Sequence, residues 1–235
     1  MRLYYDLHIH TALSPCASDD MTPQNIVNMA SLKGLDVIAV TDHNSIKNVG
    51  AVISAGEKVG ITVIAGMEIE TAEEVHMLTL FPTQKAAFDV WETVDKNLPK
   101  ISNNKEIFGN QLIMDENDNI IDEENRLLIT ATSLSLQSVF SLVKDAGGVA
   151  IPAHIDRRSN SIISNLGFIP EDLDITAVEF SCNFAEGKHL YPNQSFDKYK
   201  AVFNSDAHHL GAISEKTNFI DVFDNKPENI IRFFG

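Results

Sequence analysis

Eight histidines are spread along the 235 residues, and six of them stand at the edge of a short apolar run. His8 and His10 close LYYDLHIH, His43 follows VIAVTD, His76 opens HMLTLF, His154 ends VAIPAH and His208 follows VFNSDA. Two carboxylates keep the same company, Glu68 in IAGMEIE and Asp206 in NSDAH. Imidazole and carboxylate are the donors that hold Zn²⁺, Mn²⁺ and Fe²⁺. His8 and His10 are two apart, so on a strand both rings share one face and can reach one ion. Taken singly, each residue has an ordinary alternative: a packed histidine, a capping aspartate, a surface acid. Those alternatives do not reproduce the recurrence at so many strand ends. The donors exceed one ion's usual complement and Glu68 can bridge, so two or three divalent ions (zinc, manganese or iron) are expected.

Strands and helices must bring these donors together. Strands are expected at Leu3–His8, Asp36–Thr41, Thr62–Ile69, His76–Phe81, Val149–Ala153, Thr176–Phe180 and Ala201–Asn204. DVIAVT and VAIPA are almost wholly apolar, as in strands covered on both faces. Helical spacing runs between them: Ile26, Val27 and Ala30 after Thr22-Pro23 with Gly34 as stop, then Ser45 to Lys58 before Gly60, and Ser133 to Ala146 before Gly147-Gly148. Such alternation implies an α/β fold with a mainly parallel sheet. In a barrel of that kind the strand ends form one rim, where active sites sit. The length suits a single barrel domain over residues 1–235. Residues 84–132 break the rhythm with a helix (Lys85–Val94) and an Asn/Asp-rich hairpin turn, an insertion read either as a lid or as surface elaboration.

Bulk properties narrow the class. No apolar run approaches the roughly 20 residues of a membrane span, and MRLYYDLHIHT has no signal-peptide character. Cys16 and Cys182 give no disulfide framework, so a cytoplasmic setting is expected. The formal net charge is -15, which argues against nucleic-acid binding and for a small substrate.

The ordered motifs DLHIHT, TDHN, GMEIE, the isolated His76, PAH and NSDAH resemble the polymerase-and-histidinol-phosphatase (PHP) superfamily of metal-dependent phosphoesterases. The resemblance spans residues 6 to 208 and implies a distorted (β/α)7 TIM-like barrel with up to three metal ions. It implies that His8, His10, Glu68 and Asp206 hold the first ion, and Glu68, His76 and His154 the second. The third would lie on His43 and His208 with a residue from the loop after the first strand. Many relatives carry an aspartate there, in a motif resembling HTxxSDG. Here the longer loop TALSPCASDDMTP offers Cys16, Asp19 or Asp20 instead. Cys16 has the alternative of a small packed residue, and Cys182 is read as a core residue beside the site. His189 is assigned to a loop or helix.

Metal ions lower the pKa of water and neutralise phosphate oxygens, so hydrolysis of a phosphomonoester or phosphodiester by metal-activated hydroxide is expected. Asp206, His208, Glu68 and Arg157 are the candidate catalytic residues. Arg157 and Arg158, directly after the PAH motif, are candidates for gripping the phosphate, and His209 for contact with the leaving group. Asp42 either orients an imidazole or caps the following helix. Two alternatives stand beside the phosphoesterase: an amidohydrolase-like C–N hydrolase, disfavoured by the lack of a strand-end lysine, and a non-catalytic metal-dependent binding domain.

Overall fold

A computed structural model describes residues 1–181 and 195–235; Cys182 and His189 lie outside the described residues. All seven expected strands are present: β1 (Arg2–Ile9), β2 (Val37–Val40), β3 (Thr62–Glu70), β4 (His76–Phe81), β7 (Val149–Pro152), β8 (Ala177–Ser181) and β9 (Lys200–Asn204). A hairpin, β5 (Leu112–Met114) and β6 (Ile120–Glu123), and a short β10 (Phe219–Asp221) add to them. One sheet runs β10-β1-β2-β3-β4-β7, and β8 and β9 pair in parallel. The two sheets meet at both ends. Ile9 bridges Ala207 beyond β9, and Ile155 N donates to Glu179 O, 2.9 Å away, beyond β7. The result is an α/β, TIM-like barrel wall.

The interior is one apolar cluster made from alternate residues of these seven strands, among them Leu3, Tyr5, Leu7, Ala39, Ile64, Leu80, Ile151 and Val202. The last helix, α7 (Pro227–Phe234), plugs its lower end with Ile230, Ile231 and Phe234. A second cluster lies outside the wall, under the helices α1 (Pro23–Leu32), α2 (Val49–Val59) and α5 (Leu136–Asp145). Their ends follow the sequence. Thr22 caps α1 by accepting from Asn25 N, with Pro23 in the first turn. Gly60 ends α2 in the left-handed region, at φ 80°. α2 starts at Val49 rather than at Ser45, because Asn44 to Asn48 are drawn into side-chain bonds around the site.

The sheet is less parallel than expected. β4 runs antiparallel to both β3 and β7. Residues 71–75 join β3 to β4, whereas a parallel crossover needs about a dozen residues or more. No helix separates these two strands, so the strand–helix repeat is broken there. The reversal matters for the site: His76, at the start of β4, lands on the rim where its neighbours end.

The segment from α3 (Gln84–Asn97) to residue 132 packs on the loop after β1. Leu112 N donates to Ala12 O at 2.7 Å. Asn48 Nδ2 donates to Leu112 O at 2.9 Å, and Asn48 Oδ1 accepts from Met114 N at 2.8 Å. Leu13, Leu98, Ile113 and Leu128 form a small apolar cluster beneath. A short helix, α4 (Lys105–Phe108), leads into the hairpin, and another, α6 (Ile162–Leu166), follows β7.

Candidate metal centre

β1 aims its two histidines by an irregularity. Asp6 pairs with Ile38 and Ile9 with Val40, three steps on β1 against two on β2. A bulge of one residue swaps the faces of all that follows. Leu3, Tyr5 and Leu7 therefore point inward, whereas Ile9 joins the outer cluster and His8 and His10 turn into the barrel mouth.

Glu68 is the hub. It is 1% exposed, and five imidazoles surround it. His76 Nδ1 lies 2.8 Å from Oε1, His154 Nε2 3.1 Å from Oε1 and His43 Nδ1 3.1 Å from Oε2. His8 and His10 each approach to 3.4 Å through Nε2. Burial alone would push the Glu68 carboxyl up; His76, His8 and His43 instead hold it well below the usual range. Asp206 behaves the same way: burial opposes ionisation, but His8 and His10 prevail.

The donor atoms fit divalent cations. His8 Nδ1 lies 2.9 and 3.0 Å from the two oxygens of Glu179. A carboxylate only accepts, so this nitrogen carries the proton. His10 Nδ1 meets Ser14 Oγ at 2.9 Å, and that hydroxyl donates to Asp42 Oδ1 at 2.7 Å, so His10 also carries its proton on Nδ1. In their neutral forms both rings therefore offer Nε2 lone pairs inward, 3.2 Å apart. Asp206 Oδ1 lies 3.3 and 3.0 Å from those two nitrogens. A ring of acceptors facing one another calls for a cation at its centre. Among the described residues the buried Nδ1 of His154 has no hydrogen-bond partner, which points the same way. Among the described residues three groups have donor atoms within 4.8 Å of one another: His8, His10, Glu68 and Asp206; His43, Glu68 and His76; His10, His43 and His208.

Without a cation, protons and neutral rings share the cluster. His8 is driven well above its ordinary value: burial works against this, but Glu179, Asp206 and Glu68 outweigh it. His76 is pushed up to about 10, with Glu68 overcoming burial. His10 falls to about 4 through burial and the nearby His208, and burial takes His43 well below its usual range. Two of the expected ligands, His154 at φ 30° and Asp206 at φ 50°, hold left-handed backbone conformations. Non-glycine residues adopt them at a cost of about 1–3 kcal/mol, a pattern typical of functional sites.

Most of the expected site residues converge here. His8, His10, Glu68 and Asp206 form one group, as the resemblance implied. His43 joins Glu68 and His76, while His154 touches Glu68 from outside that group. His208 stacks on His10 with ring centroids 4.3 Å apart. Cys16, Asp19 and Asp20 belong to none of the three groups. Cys16 is exposed at the surface, yet desolvation, with Glu68 and Asp206 adding, pushes its thiol up to about 12. Asp19 accepts from Asn110 Nδ2, and Asp20 takes Asn25 Nδ2 on its backbone carbonyl. Arg157 Nη1 lies 2.5 Å from Asp206 Oδ2. Arg158 and His209 are exposed, the latter just before the turn Leu210–Ala212. Asp42 contacts no imidazole directly. It takes Thr11 N, Thr11 Oγ1 and Ser14 Oγ, each at 2.7 Å, and so steadies His10 through Ser14. Burial pushes Asp42 up to about 6.

Two positioning groups escaped the sequence reading. Ser14 left no signal, being one hydroxyl in a polar loop. Glu179 did leave one: a carboxylate inside the apolar run AVEFS.

Comparison with known proteins agrees with this geometry. Residues 6–157 match the PHP domain family. A 5'-3' exoribonuclease of Haemophilus influenzae is 36% identical over 80 residues, 32% of this chain and 28% of its own. The lesion-specific endonuclease Q of Pyrococcus furiosus superposes over 100% of this chain and 57% of its own, with a TM-score of 0.65 and 21% identity. A Bifidobacterium adolescentis protein put forward as a metal-dependent phosphoesterase covers 97% of this chain and 96% of its own, with a TM-score of 0.60 and 19% identity. The chain thus spans little more than half of endonuclease Q and under a third of the exoribonuclease.

One expectation is corrected. A small substrate with no nucleic-acid binding was inferred from net charge, but endonuclease Q, whose fold covers this whole chain, has been seen with a 27-mer duplex and an abasic lesion at its active site. Net charge sums the whole surface and says nothing of the charge at any one site. Arg157 lies against Asp206, and divalent cations, when bound, would reverse the local field. Among the described residues no helix is long and apolar enough to cross a membrane. The family match runs from the first strand past His154, over the same residues that build most of the cage, and on that ground the chain belongs to the PHP domain family of metal-dependent phosphoesterases.

Proposed function

We propose that this chain hydrolyses phosphodiester bonds, with a nucleic-acid strand as the substrate class. The observation that carries the reading is the shared carboxylate: Glu68 contacts five histidines, four of which divide between two donor groups while His154 approaches from a third side, a setting for adjacent cations. Such ions, when bound, would supply Lewis-acid stabilisation of the phosphate and a lowered pKa for water. The chain's own residues do the rest. Ser14 and Glu179 fix the tautomers of His10 and His8, so both Nε2 atoms stay turned inward. Arg157, 43% exposed at its side chain and lying against Asp206, is placed to bind a phosphate oxygen at the rim, with Arg158 beside it. Two likenesses support the polynucleotide: the exoribonuclease match and the fold shared with endonuclease Q.

The test is a panel assayed with Mn²⁺ or Zn²⁺: single-stranded DNA and RNA oligonucleotides, an abasic duplex, bis-p-nitrophenyl phosphate and p-nitrophenyl phosphate. Cleavage of an oligonucleotide, abolished by a chelator, is the expected result. Turnover of the monoester alone would reject the diesterase reading. Full metal binding with no turnover on any ester would favour a binding domain.

A further inference from the structure

Glu179 sits in the middle of β8, between the buried Val178 and Phe180, and is itself 1% exposed. An ionised carboxylate removed from water costs several kcal/mol unless its partners compensate. Its partners are all donors, and they come from three different parts of the barrel wall. His8 Nδ1 lies at 2.9 and 3.0 Å, His154 N at 2.8 Å and Asn204 Nδ2 at 2.7 Å. Asn204 cannot turn over, because its Oδ1 already accepts from Leu7 N at 2.8 Å.

Both oxygens of Glu179 are therefore committed: Oε1 to His8 and Asn204, Oε2 to His8 and His154. A glutamine would have to face an amide NH₂ towards either the His154 N–H or the Asn204 NH₂. Each is a donor, so one contact turns repulsive. The pocket is built for a carboxylate, not for any polar group of that shape.

We infer that Glu179 is the positioning residue for two metal positions at once. It fixes His8 through the ring, as a member of the group with His10 and Asp206. It fixes His154 through the backbone, on the opposite flank of the hub. The second contact explains how His154 keeps its φ of 30°: its amide is anchored on the carboxylate 2.8 Å away. The inference deepens the reading above and rests on its metal centre. A clasp that only closed the barrel would account for the Asn204 bond but not for the ring of His8.

Zinc alone is the probe. In competition titrations Glu179→Gln should lower zinc affinity about 10- to 100-fold, the usual size of such outer-shell losses, and should do so at the position of His8 and at that of His154. Ser14→Ala, which unties the His10 ring and the His43 amide but leaves His8 and His154 anchored on Glu179, should not give that paired loss. In ¹⁵N-histidine NMR of the zinc-loaded protein, His8 should show a protected Nδ1 proton that the Gln variant loses. Three results would overturn the inference: affinities within about twofold of wild type, loss at one position alone, or a lower melting temperature with zinc binding unchanged. If Glu179→Gln does not fold, Glu179→Asp keeps the charge but shortens the reach, and it must show the same paired loss. No substrate is needed, so a protein that binds zinc as described yet cleaves no diester would refute the proposed function and leave this inference standing.

Discussion

Arg157 Nη1 lies 2.5 Å from Asp206 Oδ2, so the guanidinium proposed to meet phosphate already rests on a carboxylate of the histidine cluster. The pair joins the two ends of the described site, since Arg157 follows β7 and Asp206 follows β9. Desolvation would lower the Arg157 pKa, but Asp206 and Glu68 raise it further above its ordinary value. The residue stays charged at any working pH.

Arg157→Ala should therefore act on substrate rather than on metal. A fall in kcat/KM of roughly 10- to 100-fold is expected for losing a charge-assisted contact worth about 1.5–3 kcal/mol. Zinc affinity should hold or rise, because a competing cation has left Asp206. Arg157→Lys should recover only part of the loss, having no planar fork. Lowered zinc content in Arg157→Ala would show that the arginine organises the cage instead.

Glu68→Gln and Asp206→Ala should abolish stoichiometric zinc binding and turnover together while the far-ultraviolet circular dichroism stays native. Glu68 belongs to two donor groups, so its loss should empty more than one position. A Glu68→Gln protein with wild-type metal content would dismiss Glu68 as the shared ligand.

Metal binding should displace protons. His8 and His76 are held above their ordinary value in the metal-free cluster, His76 at about 10. A raised histidine contributes stability that is complete below its unfolded pKa of about 6.5 and is lost as pH climbs towards the folded value. Cations compete with those protons. The gain in melting temperature on adding zinc should hence grow from pH 6.5 to pH 9, and a gain that shrinks over this range would contradict the scheme. His10 and His43, depressed by burial, add no proton cost there.

Cys16→Ser should leave zinc stoichiometry unchanged. With its thiol pushed up to about 12, Cys16 is almost wholly protonated at neutral pH, so alkylation by iodoacetamide should be slow despite surface exposure. Fast modification, or one zinc fewer in the variant, would bring the thiol back as a ligand.

Asn48→Ala should strip the bond from Met114 N, leaving a buried amide without a partner. A loss of about 1–3 kcal/mol is expected for such a group, read as a fall of roughly 2–10 °C in melting temperature. The same residue donates to Thr11 Oγ1 at 2.9 Å, so the loop that carries Ser14 should loosen with it. An unchanged melting temperature would mean that the 84–132 segment does not brace that loop.

Much of this was legible in the residues. Apolar runs located the seven expected strands, and donor-rich edges located the side chains that converge around Glu68 and Asp206, because burial and donor chemistry both depend on side-chain type. The reversal of β4 is legible in the length of its connection: residues 71–75 are too few for a crossover. Glu179 could have been suspected from a charge within AVEFS. Net charge misled, because it has no position.

What the sequence by itself determined is which side chains are available and which of them share a face, since strand period and ligand chemistry are local properties. Which face looks inward was decided only in three dimensions. Along β1 a strict alternation sets Leu3, Tyr5 and Leu7 against His8 and His10. A single extra residue opposite β2 lets both sets enter the barrel, the first as core and the second in the donor cluster at its mouth. That bulge arises from pairing with a neighbouring strand, and no residue of β1 encodes it alone.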